Sequence, residues 1–168
     1  MRFYGIKNMY MNGIHTGIQC GHAAVELFNK YGCMHEQIMS EEQMKLYRQV
    51  WDWSKNHKTW VLLDGGYASN LRRIIDIFKK YEDEFPWASF YEENDALDGA
   101  LTAVGIILPE WIYNAQRDTK RDSRYTLYVH RAIDRTTPER PEVLETVYNS
   151  WDKYYDLIAA VSSLRLAS

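Results

Sequence analysis

Residues 58–80, KTWVLLDGGYASNLRRIIDIFKK, constrain the fold most, because the residue pattern changes type in the middle of the segment. Lys58 to Tyr67 is a short apolar run closed by Gly65 and Gly66, which suits a buried strand ending in a tight turn. Ser69 then stands where a helix cap belongs. Beyond it Leu71, Ile74, Ile75 and Phe78 recur at i, i+3, i+4 and i+7, while Arg72, Arg73, Asp76, Lys79 and Lys80 fall largely off that stripe. A strand that turns directly into an amphipathic helix calls for helices packed on a sheet.

The flanking segments extend the pattern. Arg2 to Met11 is aromatic and β-prone and reads as a first strand, with a helix from Asn12 to Gly32 behind it. Ser40 and Gln43 have capping-box spacing ahead of a second helix, on which Met44, Tyr47, Val50 and Trp51 share a face. Phe85 to Tyr91 and Gly99 to Pro109 read as strands, and the polar EENDALDG between them as a turn. The expected architecture is therefore α/β, a mixed sheet flanked by helices. With 168 residues, 46% of them hydrophobic, one well-buried core is expected rather than two.

After Pro109 the character changes. EWIYNAQ suggests a short helix, RDTKRDSR a charged connection, and YTLYVHRAI fits strand or helix equally. Thr137 and Pro138 form a cap and first-turn pair before a final helix, where Leu144, Val147, Trp151, Tyr154, Ile158 and Val161 alternate spacings of three and four. Such a seam packs on the parent domain, on a second copy as a homodimer, or on a protein partner.

Several function classes are disfavoured. No apolar run approaches the roughly 20 residues of a membrane-spanning helix, and the amino terminus has no basic-then-apolar signal pattern, so no membrane partner and a cytoplasmic location are expected. Cys20 and Cys33 are too few for a disulfide framework. A formal charge of −3 gives no global drive toward nucleic acid. Neither a G-x-x-x-x-G-K-[ST] phosphate loop nor a G-x-S-x-G elbow is present, which argues against P-loop and serine-esterase chemistry.

The segment NGIHTGIQCGHAAVELFNKYG, 12–32, carries the candidate chemistry. At about 100° per residue, Ile14, Ile18, Gly21, Val25 and Phe28 share one sector, the expected core face. His15, Gln19 and His22 lie together roughly 100° away, at the border with solvent. Small neighbours, Gly17, Cys20, Gly21, Ala23 and Ala24, permit close approach of another backbone or a ligand. Taken alone, a histidine on a helix edge is usually a surface or hydrogen-bonded structural residue.

The run Q-C-G-H-A-A-V, Gln19 to Val25, resembles the first-helix signature of the archaeal and eukaryotic (type II) peptidyl-tRNA hydrolases, G-K-I-A-A-Q-C-A-H-A-A-V. Asn94 to Ala96, N-D-A, resembles that family's R-D-A, and Gly99 to Ile106, GALTAVGI, its G-T-x-T-x-L-A-I strand. The resemblance covers about two-thirds of the chain. It implies a type II-like domain over residues 1–116 on a four-stranded mixed sheet, and a carboxy-terminal extension over 117–168. It also implies hydrolysis of the ester joining a peptidyl group to tRNA, or binding of such esters, without a cofactor or metal. Carried over, the catalytic positions are His15, Gln19, Asp95 and Thr102, with His22 and Asn94 in substrate binding.

Two positions depart from the pattern. The family's lysine is His15 here, and an R-T-x-I segment after the aspartate is missing. Histidine lacks a lysine's constant charge but works as a base, so an Asp95–His15 pair that activates water, with Gln19 or Thr102 holding the acyl oxygen, is the expected site. A catalytically degenerate binding module for RNA, a nucleotide or a protein is the alternative. Arg117, Lys120 and Arg121, with Arg124, Arg131, Tyr125 and Tyr128, form a candidate RNA contact, although Asp118, Asp122 and Asp134 partly cancel their charge. The C-G-H and C-M-H pairs suggest zinc, but residues two apart on a helix point about 200° apart.

Overall fold

The computed structural model describes residues 1–33, 39–113 and 153–167. The chain divides into two compact units, Met1–Pro109 with Leu164–Ser168, and Glu110–Ser163. In the first unit β1 (Arg2–Lys7) is followed by α1 (Gly13–Tyr31) and α2 (Glu41–Asp52), whose end runs into a π-turn at Trp53–His57. Next come β2 (Trp60–Asp64), α3 (Ala68–Lys79), β3 (Trp87–Tyr91), the short α4 (Asn94–Leu97) and β4 (Leu101–Leu108). In the second unit residues 110–113 are helical and α5 spans Tyr155–Ser162, with Leu157, Ile158 and Val161 buried. The chain then adds β5 (Arg165–Leu166) to the first unit's sheet.

The architecture is α/β, as expected, but the sheet has five strands rather than four. Their order is β3-β4-β1-β2-β5; β1 and β2 run parallel, and the remaining pairings are antiparallel. The extra strand comes from the tail, where Leu166 pairs with Leu63 and Arg165 with Asp64. No helix among the described residues is long and apolar enough to cross a membrane.

Local signals predict local structure well. Ser40 Oγ accepts from Gln43 N, and Gln43 Oε1 accepts from Ser40 N, which completes the capping box of α2. Leu71, Ile74, Ile75 and Phe78 are all buried. Other expectations need correction. β1 stops at Lys7, not Met11, because Asn8 turns the chain: its carbonyl accepts from Met11 N and its Oδ1 from Tyr10 N. Tyr67, two residues before Ser69, is the N-cap of α3, directly after Gly66, whose φ of 72° closes the turn. The EENDALDG turn contains α4. On α2 the fully buried side chains are Leu46 and Val50, with Met44, Tyr47 and Trp51 half-buried. The candidate seam at Leu144, Val147 and Trp151 lies outside the described residues.

The largest correction concerns α1. Its buried face is Thr16, Gln19, Cys20, Ala23, Ala24, Leu27 and Tyr31, whereas Ile14 is 82% exposed and Ile18 and Val25 are exposed too. The helix is rotated roughly 140° from the expected phase, at about 100° per residue. Glycines in the sheet supply the reason. Gly5 and Gly105 pair across β1 and β4. A Cβ on Gly5 would lie 2.8 Å from Cys20 Cβ and Sγ, and one on Gly105 would meet the Phe3 ring at 2.5 Å and Ala23 Cβ at 3.5 Å. The sheet surface is flat there, and only the small side chains of α1 let the helix settle onto it.

Cys20, Ala23, Ala24 and Leu27 thus join Phe3, Ala103, Ile107, Leu46, Val50 and Trp53 in one core layer. On the other face α3 brings Phe78 to Trp87, and a Cβ on Gly65 would meet both Leu71 and Ile6. Gly5→Ala therefore overpacks the α1 interface and lowers unfolding free energy by about 1–3 kcal/mol. Urea denaturation of that variant beside wild type measures it, and an unchanged midpoint would refute the close approach.

Candidate functional site

Because β1 and β2 are parallel, their carboxyl ends open on the same side of the sheet, and the start of antiparallel β4 lies beside them. In α/β sheets this is where crevices form. Lys7, the last residue of β1, is only 3% exposed and faces Asp64, the last of β2, in register. Lys7 Nζ lies 3.3 Å from Asp64 Oδ2, and Asp64 Oδ1 accepts from Gly66 N at 2.9 Å. A buried ammonium requires such a partner, since an unpaired one would lose most of its hydration without return. Gly65 N donates to Lys7 O and Met9 N to Gly66 O, so the two strand ends are stitched together.

Beside this pair runs a second polar group. Thr102 Oγ1 donates to Gln19 Oε1 at 2.8 Å, and Gln19 Nε2 donates to Glu92 Oε1 at 2.6 Å. Thr102 and Gln19 are both buried. A carboxylate only accepts, so Glu92 fixes which way the Gln19 amide faces, and the amide oxygen in turn fixes the threonine proton. Thr102 reaches α1 through an irregularity in the sheet. Phe90 pairs with Ala103 and Tyr91 with Leu101, leaving Thr102 opposite no residue of β3. Bulges of this kind re-aim a side chain. Asn8 secures the same corner by donating its backbone N–H to Thr102 O at 2.8 Å and its Nδ2 to Leu101 O at 3.1 Å.

Of the residues expected in the site, Gln19 and Thr102 are in direct contact. His15 and Asp95 are not joined. His15 sits exposed in the first turn of α1 and Asp95 exposed on α4, and among the described residues no hydrogen bond or ion pair connects them. The carboxylate that reaches Gln19 is Glu92, because α4 carries Asp95 outward while Glu92 still lies beside the strand ends, its N–H bonded to Ala100 O. His22 is exposed and stacks on Phe90, ring centroids 4.5 Å apart at 19°. Asn94 opens α4 and is exposed. Arg117, Lys120 and Arg121 lie outside the described residues.

The sequence reading missed Lys7, Asn8, Asp64 and Glu92. Lys7 and Asp64 did carry a signal, since each ends an apolar strand run with a charge. Asn8 and Glu92 carried none that spacing reveals.

Cys20 and His22 do point apart: the thiol is buried and the imidazole exposed. Burial pushes the Cys20 thiol up to about 12, while the Lys7 ammonium pulls it partly back. A nucleophilic role for Cys20 is thereby disfavoured. No protein-family model matches the chain, and no curated protein matches it in sequence.

The neutral Cys20 thiol has a measurable consequence. Its folded pKa of about 12 lies above the ordinary 9.0. Its contribution to stability is therefore complete below pH 9 and is lost as pH rises from 9 toward 12, where the unfolded chain ionises first. The urea midpoint should accordingly fall more steeply between pH 8 and 10.5 in wild type than in Cys20→Ala. Equal slopes would remove the buried thiol from the account.

Proposed function

We propose that the protein hydrolyses acyl esters carried on the 3′ end of tRNA, at the carboxyl ends of β1 and β2. The observation that carries this reading is the bond between Gln19 and Thr102, residues separated by 83 positions that the peptidyl-tRNA hydrolase resemblance marks independently. Beside them, Lys7 brings a lysine ammonium to the same end of the sheet, although Asp64 neutralises it and burial keeps it a positioning charge.

Ester hydrolysis requires a base for water, donors for the developing oxyanion, and a proton for the leaving ribose oxygen. His15 lies one helical turn from Gln19 on α1, where i and i+4 side chains are neighbours. Its imidazole takes the water proton as the water oxygen bonds to the acyl carbon, then returns that proton to the ribose oxygen as the ester bond breaks. Gln19 Nε2 has a second hydrogen beyond the one given to Glu92, and this hydrogen serves the oxyanion. Glu92 holds the amide in the orientation that makes it available. One observation favours a second reading, a non-catalytic RNA-binding module: among the described residues no carboxylate is paired with His15.

Single-turnover hydrolysis of N-acetylaminoacyl-tRNA separates the two. The expected result is cleavage by wild type, a loss of about 100-fold or more in His15→Ala, a comparable loss in Glu92→Gln, and near-normal rates in Asp95→Asn. Wild type that binds tRNA without cleaving it is the binding module. A His15→Ala variant at full rate would remove histidine from the mechanism.

A further inference from the structure

β3 lies at one edge of the sheet and is hydrogen-bonded to β4 alone. Ile107 N donates to Pro86 O at 3.0 Å, and the register sets Trp87 opposite Ile106, Ala88 opposite Gly105 and Ser89 opposite Val104. Bonded and non-bonded pairs alternate along an antiparallel ladder, so Ala88 turns its backbone groups toward β4 while Trp87 and Ser89 turn theirs outward. Among the described residues no backbone group answers these outward N–H and C=O groups. Edges of this kind are usually blunted by a charge, a proline or a bulge. Here Pro86 precedes the stretch and the irregularity at Phe90 and Tyr91 follows it, which leaves Trp87 to Ser89 open.

An open groove of about 450 Å³ follows these three residues, with Glu26, Asn29 and Lys30 of α1 as its other wall. All three helix residues are exposed. Lys30 Nζ lies 4.6 Å from the centre of the Trp87 ring, and Trp87 Nε1 is buried without a hydrogen-bond partner. Hydrogen bonding is thus incomplete along this edge. The helix runs antiparallel to β3, because Lys30 meets Trp87, His22 stacks on Phe90 and Gln19 bonds Glu92. Glu26 therefore stands at the Ser89 end of the groove and Lys30 at the Trp87 end. Among the described residues neither forms an ion pair.

Such an edge takes an added strand, and the charges on α1 select which one. A second copy of this chain, turned about a twofold axis at Ala88, sets Trp87 opposite Ser89 of the other copy and Ser89 opposite its Trp87. The outward backbone groups then answer one another. The same rotation reverses α1, so that Glu26 of each copy faces Lys30 of the other, and the charge match occurs twice. Spacing agrees as well. Because α1 packs over both β3 and β4, joined strands about 4.8 Å apart bring the two α1 helices to about 10 Å, an ordinary helix-packing distance. A foreign strand would find the same backbone groups without this reciprocal charge.

We infer that the open edge of β3 is a self-association surface, on which two copies join antiparallel as a reversible dimer held by Trp87, Ser89 and the reciprocal Glu26 and Lys30 pairs. The dimer does not depend on the proposed hydrolysis. Sedimentation velocity of the full chain, across the micromolar range at low salt, is the test. Wild type passes from monomer to dimer as concentration rises. Glu26→Lys and Lys30→Glu each set like charges face to face and weaken the dimer by about tenfold or more. An equimolar mixture of these two variants recovers it, since every facing pair is again of opposite sign, a recovery that a charge effect within one helix could not produce. Ser89→Pro, which removes an outward N–H and no bond to β4, also weakens the dimer. Should that proline disturb folding, the exposed charge variants still decide the matter. A wild type that stays monomeric throughout, a dimer indifferent to both charge reversals, or a mixture no more associated than its components would each overturn the proposal.

Discussion

The candidate site depends on how closely α1 can approach the sheet. Gly5, paired with Gly105 across the central strands, lacks the Cβ that would meet Cys20 at 2.8 Å, and Gly105 leaves room for the Phe3 ring. Cys20 and Ala23 then rest almost on the backbone. Gln19, next to Cys20, is thereby carried far enough inward for one amide to meet both Thr102 and Glu92. Added bulk at Gly5 would push the helix outward and strain both bonds together.

This approach also explains how charge is handled at the strand ends. A lysine buried under a helix is tolerable only if something answers it, and Asp64, in register on the next strand and oriented by Gly66 N, does so. Cys20 lies near enough to Lys7 to respond to it, yet burial prevails and the thiol stays neutral. The polar groups here satisfy one another: Asp64 answers Lys7, and the Gln19 amide bonds both Thr102 and Glu92.

Much of the fold was legible because its determinants are local. The capping box at Ser40 and Gln43 and the apolar stripe of α3 involve residues within one or two turns of each other, so spacing alone predicted them. The candidate site was legible in part. Gln19 and Thr102 were marked by motif, but the carboxylate bonded to Gln19 is Glu92, because Asp95 is taken up into the four-residue helix α4. Lys7 and Asp64 become a pair only when two strands 57 residues apart align in parallel.

The inward face of α1 could not be read from its own residues. Periodicity marks where apolar side chains recur, and on that basis Ile14, Ile18 and Val25 were expected inside. A helix buries whichever face fits the surface it meets, and that surface is shaped by Gly5 and Gly105, one hundred residues apart in sequence. By itself the sequence determined the order of the main strands and helices, the capping box of α2 and the α/β class, because short-range spacing and capping control them. Only the tertiary structure decided the rotation of α1, the bulge that aims Thr102, the Lys7–Asp64 pair and the fifth strand, because each depends on which distant backbones come into register.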